Sequence, residues 1–265
     1  MFIRKFTILL LLSFIGSKSF SQTVCTTLGQ SPATAFPVCA TDTFFQQTVP
    51  FCGGTAIPAP GCSILQDVNP FWYRFTCYST GTLGFIITPT DLADDYDWQL
   101  FDITGKNPNL VYTDVTLFVA CNWSGKPGIT GTSTAGTSEI VCGNTGGEPL
   151  FNPFSSMPTI IEGHEYILLI SNFSRSQSGY GLSFGGGGTA NIIDPTDPAI
   201  VSARAICDGI KMAVKLNKKM KCSSLNRDGS DFTVTPAVAP IIAAEGVNCN
   251  NGFDMDSIVL TLASP

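Results

Sequence analysis

Four aspartates crowd one short stretch, Asp91, Asp94, Asp95 and Asp97, with Asp102 shortly after. A hard cation such as Ca²⁺ takes several carboxylate and carbonyl oxygens converging from a loop, and Asp95-x-Asp97 beside a strand edge can supply them. Aspartates also cap turns by accepting from backbone two residues on, so a solvated loop explains the same residues. A paired-carboxylate hydrolase needs a substrate cleft as well, and no motif in the chain supplies one. The single histidine, His164, lies in Glu162-Gly163-His164-Glu165. A general base needs a nucleophile and an orienting partner. His-Glu-x-x-His does not occur, so a turn histidine with a structural hydrogen bond is expected. Gly185 to Gly188 lacks the Lys-Ser/Thr of a phosphate loop. Lys215, Lys218, Lys219 and Lys221 could meet an anionic polysaccharide, but lysines on a strand more often guard a sheet edge. Tyr96, Trp98 and Trp123 are candidate contacts for sugar rings, against a default of core packing.

The chain has 10 cysteines: Cys25, Cys39, Cys52, Cys62, Cys77, Cys121, Cys142, Cys207, Cys222 and Cys249. The spacings and the lone histidine do not suit zinc. Disulfides are the expectation in an exported chain. Connectivity is not fixed by sequence. Short loops favour Cys25–Cys39 and Cys52–Cys62, Cys121 and Cys142 bracket a long Gly/Ser/Thr loop from Asn122 to Gly147, and Cys222 is expected to pair with Cys249. Cys207 is then either orphaned, its partner lying beyond Pro265, or bridged back to the first module.

The elements that must position these residues centre on Asn69 to Gly105. Phe71, Tyr73, Phe75 and Cys77 alternate with Trp72, Arg74, Thr76 and Tyr78, the period of a strand. Leu83 to Thr88 and Trp98 to Ile103 are two more strands, with the acidic loop between them. Further strands are expected at Phe44–Val49, Asn109–Tyr112, Leu117–Cys121, Glu165–Ser171 and Ser178–Phe184, with Thr159 to Ile161 leading into a turn at Glu162-Gly163-His164 and an exposed turn at Pro58 to Gly61. Hairpin-length spacing of about eight strands implies a sandwich or jelly roll. After a Pro-rich connector, strands are expected at Ile200–Ile206, Ile210–Leu216, Phe232–Thr235 and Ile258–Leu262.

Met1 to Ser21 has Arg4 and Lys5 before an apolar run too short to span a bilayer, then Ser19-Phe20-Ser21, the pattern of a cleaved export signal. No other stretch approaches the roughly 18 to 20 apolar residues of a membrane helix, so the chain is not expected to span one. The net charge is −6; without Arg4, Lys5 and Lys18 it falls to −9, which disfavours nucleic acid. The organisation expected is a signal peptide at 1–21, a disulfide-rich jelly-roll-like β-sandwich at 22–190, a linker at 191–198, and an Ig-like β-sandwich at 199–265. About 70 residues are short for that last fold, so it is expected to be incomplete and the chain a fragment.

The motifs WYRFT, STGTLGF and WQLFD resemble the bacterial pre-peptidase C-terminal domain and related CUB-like jelly rolls. AFPVC, NPFWYRFTC, DDYDWQLFDITG, NWSG and SGYGLSF together resemble secreted surface proteins of the Bacteroidetes that end in a gliding-motility-associated, type IX sorting domain. LNKKMKCSSLNRDGSDFTVT resembles bacterial Ig-like repeats. The resemblance implies a non-catalytic secreted or cell-surface module that makes adhesive contact with an extracellular glycan or protein. Export would run through a sorting domain absent from this chain. Calcium is implied at the Asp loop, as in some related jelly rolls. The alternative is an accessory region of a secreted hydrolase whose catalytic domain lies elsewhere.

Overall fold

The computed structural model describes residues 25–38, 43–143, 152–174, 176–207, 209–236, 239–249 and 254–265. The expected signal segment, Cys39 and the end of the long loop from position 144 lie outside them.

The protein is all-β. In chain order the first strands are β1 (Phe36–Pro37), β2 (Phe44–Thr48), β3 (Gly53–Ala59), β4 (Ser63–Val68) and β5 (Pro70–Thr76). They are followed by β6 (Gly81–Thr82), β7 (Phe85–Pro89), β8 (Tyr96–Asp102), β9 (Phe118–Asn122) and β10 (Thr130–Thr132). The first module ends with β11 (Ile140–Val141), β12 (Phe154–Ser155), β13 (Thr159–Ile160), β14 (Glu165–Asn172) and β15 (Ser178–Phe184). Six strands form one sheet in the order β1-β5-β14-β8-β9-β11, and five form another in the order β12-β10-β7-β15-β2.

These two sheets face each other across an aromatic core. Phe71, Tyr73, Phe75 and Cys77 point into it from the β5 segment, with Tyr96, Trp98 and Leu100 from β8 and Tyr180, Leu182 and Phe184 from β15. The period-two alternation read in the sequence therefore sorts the residues correctly. The other face is also covered. Trp72, Phe101, Ile167 and Leu169 pack under the β3–β4 hairpin and a 3-10 turn at Pro108–Tyr112, through Ile57, Ala59 and Val111. The continuous apolar run of β14 is thus a strand buried on both faces.

Several expectations are corrected. Asn109–Tyr112 is not a strand: Asn107 accepts from the Asn109 N–H through its side chain and Pro108 opens a 3-10 turn. Pro58 and Ala59 belong to β3 rather than to an exposed turn, and the reversal falls at Gly61, φ +86°. The packing of the first module also runs past the expected boundary at Ala190: Asn191 bridges to Ser79 and Ile192 is buried in the core.

The second module contains β16 (Ile200–Ala205), β17 (Lys211–Lys221), β18 (Ile241–Gly246) and β19 (Asp254–Leu262), one sheet in the order β16-β17-β19-β18. Phe232–Thr235 is not a strand. Its Phe232 N–H closes a turn on Gly229 C=O, and the ring packs beside Val214 and Ile258.

Three disulfides are present among the described residues: Cys25–Cys52, Cys62–Cys142 and Cys222–Cys249. The last is the expected pair. Cys25–Cys39 and Cys52–Cys62 are not formed, because Cys25, Cys52 and Cys62 each bond elsewhere. Cys77 and Cys121 are free and buried, and Cys207 is free and exposed rather than bridged to the first module. Among the described residues no helix is long and apolar enough to cross a membrane.

Candidate metal centre

The four clustered aspartates are divided by the strand register. Asp91 is exposed and its Oδ1 accepts from the Ala93 N–H at 2.9 Å, a turn-capping role. Asp94 is buried; its Oδ2 accepts from the Ser176 hydroxyl at 2.6 Å and its carbonyl from the Gly128 N–H at 2.9 Å. Both are occupied in holding the loop.

Asp95 and Asp97 differ. Asp97 is the second residue of β8 and Asp95 directly precedes the strand, two residues away in the chain. Asp97 is only 4% exposed, and Oδ1 of each carboxylate is buried with no hydrogen-bond partner among the described residues. Burial pushes the Asp95 carboxyl up to about 6. Burial, and then the neighbouring Asp95 charge, pushes Asp97 well above the usual carboxylate range. Two desolvated carboxylates with nothing cationic among these influences are costly as anions. They are satisfied by protonation or by a cation. As a cation site the pair offers two carboxylates. Among the described residues no group of three or more His, Cys, Asp or Glu side chains converges, so the remaining ligands would be carbonyl oxygens and water, which Ca²⁺ accepts.

The three aromatic candidates are not surface platforms. Trp98 is 0% exposed and meets Phe85 edge-on at 4.8 Å. Trp123 is buried and donates its Nε1–H to Gln99 Oε1 at 3.0 Å, while Gln99 donates to the Pro58 carbonyl. Tyr96 is buried and donates to the Ser178 carbonyl at 2.6 Å. Default core packing wins because the sheet that carries Tyr96 and Trp98, and that Trp123 directly follows at the end of β9, is covered on both faces.

His164 makes a structural hydrogen bond: its Nδ1 lies 2.6 Å from Asp102 Oδ2. Partial burial raises the Asp102 carboxyl, but hydrogen bonds from Thr104 and His164 outweigh it and hold the group below its usual range. An oriented histidine is half of a nucleophilic triad, and Cys77 is its neighbour across the strands, its N–H donating to the His164 carbonyl at 2.9 Å. That thiol is fully buried and donates to the Ser79 carbonyl at 3.2 Å, and burial raises its pKa. It is turned into the core, away from the role of a nucleophile.

The lysines are mostly paired. Lys215 meets Asp256 at 2.6 Å, Lys218 meets Asp194 at 3.4 Å, and Lys219 meets Asp254 at 3.2 Å. Lys221 stands over the Phe44 ring. Nor is β17 an outer strand, since β16 pairs with it from Ile200 to Ala205. Only its end from Asn217 onward is free of that strand, and there Lys218 donates to the Thr196 carbonyl at 2.6 Å, pinning the connector.

Sequence reasoning missed the sulfur cluster of Cys62, Cys121 and Cys142, and the ion pair in which Arg74 grips Glu165 through two hydrogen bonds. The pairing of β5 with β14 sets Arg74 opposite Ile167, diagonal to Glu165, a relation visible only once the strands are aligned. Comparison with known proteins finds no matching family model, no matching curated protein and no matching solved structure.

Proposed function

We propose that this chain is a non-catalytic module of a secreted or cell-surface protein, resembling the Bacteroidetes sorting-domain proteins, which contacts an extracellular glycan or protein and is organised by one hard divalent cation, calcium by preference. The observation that supports the cation is the buried Asp95–Asp97 pair with its two unpartnered oxygens. A cation there would neutralise both charges and fix the start of β8 against the loop that Asp94 and Ser176 close. The disulfide-tied sandwich is the kind of scaffold that persists outside the cell.

Two measurements test this. Protein freed of cations with a chelator is melted with and without calcium chloride. A rise on the order of 5 °C at saturating calcium is expected for the native chain, and none for Asp97→Asn; no rise in the native chain overturns the cation. A glycan array and a panel of extracellular proteins are then probed with and without calcium. Binding to none of them overturns the contact role.

A further inference from the structure

Three sulfurs meet where the β3–β4 hairpin packs on β9. Cys62 is bonded to Cys142, and the Sγ of free, buried Cys121 stands 3.9 Å from the Sγ of Cys62. We propose that this disulfide is exchangeable, with Cys121 taking over Cys62 and releasing Cys142. The hairpin is then tied either to the two-residue edge strand β11 or to β9 beside it.

The step is an isomerisation with no net oxidation. The Cys121 thiol gives its proton to water and its thiolate attacks Cys62 Sγ. The Cys62–Cys142 bond breaks, its electron pair leaves on Cys142 Sγ, and that sulfur takes up a proton. One disulfide and one thiol enter the step, and one of each remains. No oxidant or reductant is consumed.

The surroundings explain which isomer rests and what the exchange would change. Cys121 is 0% exposed, and a thiol in apolar surroundings resists ionisation, so the exchange is slow. Cys142 directly follows β11, partly buried at the margin of the Trp72–Phe101 cluster, within 3.3 Å of the Gly61 carbonyl. Beyond the disulfide, β11 is held to β9 by a short ladder. Cys121 N–H donates to the Glu139 carbonyl at 2.9 Å and Trp123 N–H to the Val141 carbonyl at 2.8 Å. With Cys62 transferred to Cys121, that ladder alone would retain β11 on the sheet, and a thiol would become available beside it. The hairpin itself would stay fixed, since Gln99 still accepts from Trp123 and donates to the Pro58 carbonyl.

The test uses the native chain without reductant. It is incubated with iodoacetamide, quenched in acid, and mapped by mass spectrometry without reduction. Carbamidomethyl-Cys142 is expected to accumulate with time, each labelled Cys142 matched by one Cys62–Cys121 linked peptide. In Cys121→Ala the Cys62–Cys142 peptide is expected to persist with Cys142 unlabelled. The proposal is overturned if the native chain keeps Cys62–Cys142 alone, or if Cys142 is labelled without the matching Cys62–Cys121 peptide. The matched stoichiometry is read on the native chain, so it decides the question even if the variant folds poorly.

Discussion

The hydroxyls of Tyr73 and Tyr180 meet 3.0 Å apart in the space between the two sheets. Tyr73 comes from β5 of the six-stranded sheet and Tyr180 from β15 of the five-stranded one, and both are almost fully buried. Burial raises both phenols far beyond any working pH, so the contact is a neutral hydrogen bond. Replacing one partner strands the other's hydroxyl, which costs about 1–3 kcal/mol, whereas removing both leaves no orphan. Tyr180→Phe is therefore expected to destabilise by about 2 kcal/mol in urea unfolding. The double variant Y73F/Y180F is expected to cost less than the sum of the two single variants. Additive costs would show that the pair is not coupled.

That inter-sheet layer was legible in the sequence, and the physical reason is periodicity. β5 and β15 alternate every second residue, and β14 is an unbroken apolar run, so their buried faces follow from strand geometry alone. The β3–β4 hairpin was not legible. Pro58 to Gly61 reads as an exposed turn, yet an isolated hairpin tolerates its prolines because its outer edges need no ladder. The disulfides misled for a related reason. Loop entropy favours partners close in sequence, but partners are decided by packing, and Cys62 at the hairpin reversal meets Cys142 across 80 residues of chain. The acidic stretch looked like four equal ligands. Only the register and Ser176 separate the two loop-holding aspartates from the two with spare oxygens.

The hydrogen bonds that Asp102 accepts from Thr104 and His164 give a pH dependence with a defined sign. Asp102 has a lowered pKa in the folded chain, so folding favours its ionised form. Its stabilising contribution is fully present above the ordinary aspartate range of about 4 and is lost as pH falls through the lowered native value. The group is partly exposed, so the effect is screened to about 0.5 kcal/mol. Melting temperature plotted against pH between about 2 and 5 is expected to fall less steeply for Asp102→Asn than for the native chain. Superimposable acid limbs would remove the Asp102 carboxylate from the pH response.

Trp98 separates a core role from a contact role. Its ring is fully buried against Phe85 and its indole Nε1–H has no hydrogen-bond partner among the described residues. Trp98→Ala leaves a cavity and is expected to cost about 3–5 kcal/mol. Trp98→Phe keeps an aromatic ring and removes the unsatisfied donor, so its cost is expected to stay below about 1.5 kcal/mol. Urea midpoints measure both. A phenylalanine variant as unstable as the alanine one would mean that the indole N–H is satisfied after all.

Two glycines are required for different reasons, and substitution distinguishes them. A Cβ on Gly179 would collide with the Gln46 carbonyl oxygen, with Gln47 backbone also in the way, so β15 could not keep its place beside β2. Gly105 has open space around its Cβ position, but its φ is +66°, in the left-handed region. Alanine at 179 is a steric clash with backbone, expected to cost about 3 kcal/mol. Alanine at 105 pays only for conformation, about 1 kcal/mol. Asparagine visits the left-handed region more readily than alanine, so Gly105→Asn should be milder than Gly105→Ala. At 179 the order should reverse, because the larger side chain adds to the collision. Urea unfolding of the four variants checks this, and the same rank order at both positions would defeat the distinction between crowding and backbone conformation.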